Sequence, residues 1–357
     1  MSNITFDFPA LNASSKATPP SNLGINLWYA VVCWIQALLS LLGHSLPLFA
    51  YAQDETLRTA FGCYVINILL ADLVIILFEA LMALQFSIGW HTVGWLCPLI
   101  EPLYLLGASV AIWTQVFLVI SRTCAMFSPY RFRQWHTKKA VTRLCLVLWT
   151  VALLYMTSLV AMTFPLYTKY KIPGCVGVSA FLQPTLTYHK IISLKMSIPT
   201  WLIIFIFPLL QWKNSALIKS RKDLLARNLK LSQTKNFSEP KPDKINVAPT
   251  CATSNSTKSE ASRSEKAATQ KSINFWILRW IFIVVVVFWT PITIYHFVLG
   301  VSGISNDSKR SRVVDFYLLI WALTHVTLEP IMLILTIRPL RSQIRHMLSS
   351  SISPYAF

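Results

Sequence analysis

Seven stretches of twenty or more residues with almost no charge constrain this chain more than any other feature. One lies between Glu101 and Arg122, where twenty consecutive residues include no Asp, Glu, Lys or Arg. An α-helix of that length covers a hydrocarbon core of roughly 30 Å, so the stretch reads as a membrane span. Six further runs reach the same length: 25–51, which has no formal charge, 60–84 with Asp72 and Glu79, 144–165, 188–212 with Lys195, 275–298 and 313–337. A chain that is 54% hydrophobic and only 13% charged is too apolar for a soluble globular protein and belongs in a bilayer. The expected fold class is an all-α membrane protein, a seven-transmembrane helix bundle.

Basic residues set the expected orientation. The segments 122–143 and 213–271 and the tail from Arg338 hold 22 of the 32 Lys and Arg, against seven in the segments on the other side. Lys and Arg favour the cytosol, so those three segments face inward and the N-terminus lies outside. Asp54 and Glu55 after the first span run against this, but acids count for little in the rule. The net charge of +18 is therefore a property of membrane-flanking loops, which disfavours nucleic-acid binding.

The leader, 1–24, has no basic start followed by a short apolar core, so the first span is expected to act as the insertion signal. Asn3 and Asn12 head glycosylation sequons in it. Spans one to five occupy 25–212 and spans six and seven 274–337. Between them, 213–273 is rich in Ser, Thr, Lys and Asn, buries too little to order itself and is expected to be a disordered cytoplasmic loop. Sequons at Asn236 and Asn255 would go unused there. In 338–357, Leu340, Ile344, Met347 and Leu348 recur at helical spacing opposite Arg338, Arg341, Arg345 and His346. That is a short amphipathic helix on the inner leaflet.

The third span carries motifs as well as apolarity. Cys97 and Arg122 are 25 positions apart, about 37 Å along a helix, so one marks each membrane face. Trp90 before Cys97, then Ser121-Arg122-Thr123, then Pro129-Tyr130-Arg131-Phe132 resembles the third helix and second inner loop of a rhodopsin-like (class A) G-protein-coupled receptor. Phe288-Trp289-Thr290-Pro291 resembles that family's Cys-Trp-x-Pro switch with Phe for Cys. Glu329-Pro330-Ile331-Met332-Leu333 resembles its Asn-Pro-x-x-Tyr, with the Asn and the Tyr both replaced.

The resemblance covers all seven spans and makes the tail helix similar to the family's eighth. It implies a disulfide between Cys97 and Cys175 across the outer mouth, where the residues alone leave two unpaired thiols as the alternative. It also implies that Arg122 contacts a heterotrimeric G protein, with Pro129 and Tyr130 in the loop that docks against it. Ser121 stands in place of the usual neighbouring acid, so basal signalling is expected to be elevated.

Prolines and charges inside the spans supply the remaining candidates. Pro199, Pro291 and Pro330 each remove a helix hydrogen bond and are expected to be hinges, with Pro208 an alternative to Pro199. Glu79, Glu101, Tyr104, Lys195, His296 and Asp315 fall within about three turns of the outer face. Charges so placed line cavities or pair with partners, and with Trp289 these residues form the candidate ligand pocket.

By the resemblance, Tyr104 stands where amine receptors carry aspartate and Leu323 where an opsin has its retinal lysine, so neither a monoamine nor light is expected. Basic outer loops, with Lys169, Lys171, Lys190, Lys309, Arg310 and Arg312, would draw an acidic ligand. Deeper in the membrane, Asp72 matches the family's sodium-binding aspartate, and His44, His325 and Glu329 join it in an unusual cluster. Such a cluster holds a cation, titrates as a proton switch, or simply hydrogen-bonds between helices.

The function expected is a plasma-membrane receptor that passes an extracellular ligand, a small molecule or peptide, to a heterotrimeric G protein. The alternative is a proton or cation transporter or channel running through His44, Asp72, His325 and Glu329, and a third reading is a receptor-shaped protein that no longer couples. No HExxH or GxSxG constellation occurs, so neither an enzyme activity nor a cofactor or resident metal is expected.

Overall fold

The computed structural model describes residues 23–88, 97–170, 197–213, 279–302 and 309–352, and scattered positions between 215 and 227. Every extended element among them is a helix. In chain order the spans are Leu23–Gln53, Ala60–Ile88, Cys97–Phe127 and Lys138–Tyr170, then Ser197–Lys213. The sixth runs from Arg279 through a π-helical turn, Val285–Trp289, into Thr290–Ser302. The seventh is Lys309–Thr336, and a tail helix, Arg338–Ile352, follows at once. Six of these helices are long and apolar enough to cross a membrane, while the described Ser197–Lys213 helix is apolar but shorter.

The third span is the axis of the bundle: 78% of its apolar stretch is buried, against 17% for the fourth. Lipid tails are as apolar as leucine, so burial of hydrocarbon does not by itself drive helices together; close backbone approach and interhelical hydrogen bonds do. Both are present. A Cβ on Gly107 would lie 2.8 Å from the Ala71 carbonyl oxygen and 2.7 Å from Ile75 Cγ1, so the second and third spans touch at a glycine. Asn67 of the second span donates to Thr114 Oγ1 (2.7 Å) and accepts from Trp149 Nε1 (2.9 Å), which ties spans two, three and four through one amide. Ser40 shares a hydrogen bond with Thr327 (2.8 Å) and Gln36 donates to Thr324 Oγ1 (3.1 Å), fixing the first span to the seventh. Leu42, Phe49, Leu154, Phe205 and Leu209 stay exposed on the outside of the bundle, where lipid would meet them.

Two segments differ from the sequence-based expectation. The chain beyond the third span does not enter a plain basic loop: Pro129–Trp135 is a seven-residue helix with Pro129 in its first turn. Proline suits that place because its ring presets φ and its missing N–H would be unpaired there anyway. The tail helix is amphipathic, but Leu340 and Ile344 are buried in the bundle core, and Leu348 is left exposed. Its apolar side is therefore shared between protein and surroundings.

Candidate functional sites along the bundle

At the Arg122 end, the guanidinium of Arg122 is half-buried and lies 4.6 Å above the centroid of the Phe61 ring. A cation over an aromatic face is stabilised by about 0.5–2 kcal/mol, depending on desolvation. Among the described residues its Nε has no hydrogen-bond partner. Ser121, in the place of the usual acid, donates to the Leu118 carbonyl of its own helix (2.8 Å).

Aromatic rings continue the surroundings of Arg122. His136 stacks on Tyr64 (5.8 Å between centroids) and on Phe132 of the short helix (4.3 Å). Burial, with the Arg122 charge adding to it, holds the His136 imidazole below its ordinary value. Tyr130 and Trp135 are 76% and 81% exposed, so this end carries an aromatic surface around a cation. The Pro129 side chain lies outside the described set. Arg122 stands out in the sequence and Phe61 does not, because nothing local links two residues 61 positions apart.

The expected hinge at Pro291 has a specific form. Pro291 has no N–H to offer the carbonyl four residues earlier, which is that of Val287. The seventh span supplies a substitute, for Trp321 Nε1 donates to Val287 O at 2.8 Å. Just before the proline the helix widens: the Thr290 backbone N–H reaches back five residues to Val285 O, and Thr290 Oγ1 donates to the same oxygen (3.0 Å). Phe288 packs on Trp321 at 5.3 Å between ring centroids. Trp289, next to the bulge, is buried against His325 at 4.9 Å. Pro330 lies inside the seventh helix and touches the first span at Gly43, while Pro199 falls in the first turn of the described fifth helix.

Deeper still, the four residues His44, Asp72, His325 and Glu329 come from spans one, two and seven and are all buried. His44 Nε2 lies 3.1 Å from Asp72 Oδ2, and its Nδ1 donates to Ser40 O (2.7 Å). His325 Nδ1 is bonded to Ala322 O, and Glu329 is in side-chain hydrogen-bonding contact with Gln115 and Asp72. Gln115 does not stand out in the sequence, where it is one neutral amide in an apolar run.

Of the ligand-pocket candidates, Glu79, Tyr104 and Trp289 are buried and His296 is half-buried. Among the described residues neither Glu79 carboxylate oxygen has a hydrogen-bond partner, and Tyr104 packs on Phe78 at 5.0 Å. Cys97, Glu101 and Asp315 sit on described helices but their side chains fall outside the described set. Asn3, Asn12, Cys175 and Lys195 lie outside the described residues altogether, as does most of 213–273.

A central third span, an aromatic-capped arginine at one end, a proline-marked bulge and a buried polar cluster define a multi-pass helical-bundle membrane protein. Residues 43–333 match the family described as 7 transmembrane receptor (rhodopsin family), and the chain belongs to it. It is 24% identical to human chemokine XC receptor 1 over 48% of each protein, and 25% identical to human C-C chemokine receptor type 8 over 50% of each. A cholecystokinin receptor of Xenopus laevis is 23% identical over 42% of this chain and 33% of that one. The chain spans about half the length of the curated relatives it matches. The family is one of receptors rather than enzymes, and nothing in the match favours a transporter.

Proposed function

We propose that the chain is a plasma-membrane receptor, N-terminus outside, that couples binding of an extracellular ligand to activation of a heterotrimeric G protein. The observation that carries this reading is Arg122. Within a family of receptors, it stands at the end of the central span, over Phe61 and, among the described residues, with no ion pair to a carboxylate. Exposed Tyr130 and Trp135 nearby offer a partner an aromatic rim. Ligand binding at the Cys97 end would favour a conformation in which the sixth span swings about Pro291 and uncovers Arg122. The candidate pocket is Glu79, Glu101, Tyr104, Lys195, Trp289, His296 and Asp315, tethered by a Cys97–Cys175 disulfide, with Asn3 and Asn12 glycosylated. Relatives are named for chemokines and for cholecystokinin. The basic loops at the ligand end favour an acidic small molecule or peptide here.

A cation–π contact holds Arg122 less firmly than a buried, hydrogen-bonded ion pair, so ligand-free activity is expected. The test is nucleotide exchange on a panel of G proteins by the ligand-free protein and by Arg122→Ala. Exchange that falls in Arg122→Ala supports the reading, and Ser121→Asp should lower basal exchange by supplying the missing acid. Ion current without exchange would overturn it in favour of transport.

A further inference from the structure

We propose that the inner end of the bundle binds a small monovalent anion, chloride in the first place, at Arg122, between the third span, the start of the second and the Pro129–Trp135 helix. Arg122 is half-buried, and among the described residues its Nε is without a hydrogen-bond partner. No Asp or Glu occurs between Glu101 and Asp223. The two acids just before the second span are engaged elsewhere: Asp54 Oδ1 accepts from Thr56 N and Thr56 Oγ1, and Glu55 faces Arg58 at 4.0 Å. A guanidinium stays charged at any ordinary pH, so it cannot shed the cost of burial by losing its proton.

A second orphaned atom belongs to the same surroundings. Phe61 lies under the guanidinium at 4.6 Å, and Tyr64, one turn further along the second span, stacks on His136 at 5.8 Å. Phe132 stacks on the same imidazole at 4.3 Å. Two rings three positions apart therefore bring Arg122 and His136 to one turn of the second span. His136 Nε2 is buried and, among the described residues, has no hydrogen-bond partner. An imidazole with its proton on Nε2 is a donor there. Ser121 offers no acceptor to either group, because its hydroxyl is spent on Leu118 O. Two buried N–H groups, one of them on a permanent cation, are complemented by an anion.

The surroundings select a monovalent ion. One guanidinium balances one negative charge, whereas phosphate or sulfate would bring a second charge and a tightly held water shell that two side-chain donors cannot replace. Phe61, Tyr64 and Phe132 keep water away, which strengthens the attraction between the bound anion and Arg122. Occupied, the site supplies the counter-ion that Ser121 does not, and any partner approaching Arg122 must displace it.

The site stands or falls independently of G-protein coupling, because it is read by anion binding alone. The full chain, purified in detergent, is placed in sodium gluconate and chloride is substituted for gluconate at fixed ionic strength. Bound chloride is followed by the excess line width of its ³⁵Cl resonance. Saturable broadening is expected, reversed by bromide and not by sulfate. Affinity should fall at least tenfold in Arg122→Gln and in Ser121→Asp, and stay unchanged in Lys139→Gln, an exposed cation on the fourth span. Should Arg122→Gln not fold, Ser121→Asp decides, because it keeps the guanidinium and gives it a carboxylate of its own. No saturable broadening, equal binding by Ser121→Asp, displacement by sulfate as readily as by bromide, or an equal loss in Lys139→Gln each overturns the proposal.

Discussion

Trp321→Phe tests whether the seventh span repairs the sixth. The phenyl ring keeps the packing on Phe288, but the donor to Val287 O is gone. Trp321 is 46% and Val287 40% exposed on the bundle surface, which faces lipid rather than water. No solvent replaces the lost donor, so an unpaired carbonyl costs about 1–3 kcal/mol rather than the smaller net value of a bond exchanged with water. The cause can be isolated, because Pro291→Ala restores an N–H to the same oxygen within the helix. In that background Trp321→Phe should cost less than about 0.5 kcal/mol, giving a coupling energy of 1 kcal/mol or more in a double-mutant cycle. The four proteins are compared by equilibrium unfolding in detergent with SDS titration. An equal cost of Trp321→Phe in both backgrounds would refute the account, since the indole would then be acting through packing alone.

Three further outcomes follow from the packing. Asn67→Leu leaves Trp149 Nε1 and Thr114 without their shared partner, and unfolding should become easier by about 1–3 kcal/mol. Gly107→Ala places a methyl against the Ala71 carbonyl and should destabilise by about 1–3 kcal/mol, measured in the same titration. The pH dependence at His136 has a definite sign. Its folded value is depressed, so its contribution is present above the ordinary value of about 6.5 and is lost as pH falls through the folded value. Stability of the wild type should therefore drop on acidification below about pH 6.5, and His136→Phe, which keeps the ring stack, should flatten that slope.

Most of the architecture was legible in the chain itself. In a bilayer backbone groups must be satisfied without water, so a charge-free run of span length has little choice but to be a helix. Arg122, Asp72 and Pro291 stand out for the same local reason: each is an expensive residue for an apolar helix and needs an explanation. The short helix at Pro129–Trp135 was less legible, since a basic aromatic run has no apolar periodicity to announce it.

What only the tertiary structure decided is the set of partners. Phe61 under Arg122, Trp321 on the Val287 carbonyl and Thr327 beside Ser40 join residues from different helices, the last pair 287 positions apart. Hydropathy places a residue along the membrane normal but leaves the rotation and neighbours of its helix free. Those are fixed by close approach at Gly107 and by a few interhelical hydrogen bonds. The same rotation leaves one atom each of Asp72, His325 and Glu329 facing a common point. A list of polar residues in spans two and seven does not contain that fact, because it depends on how each helix is turned about its own axis.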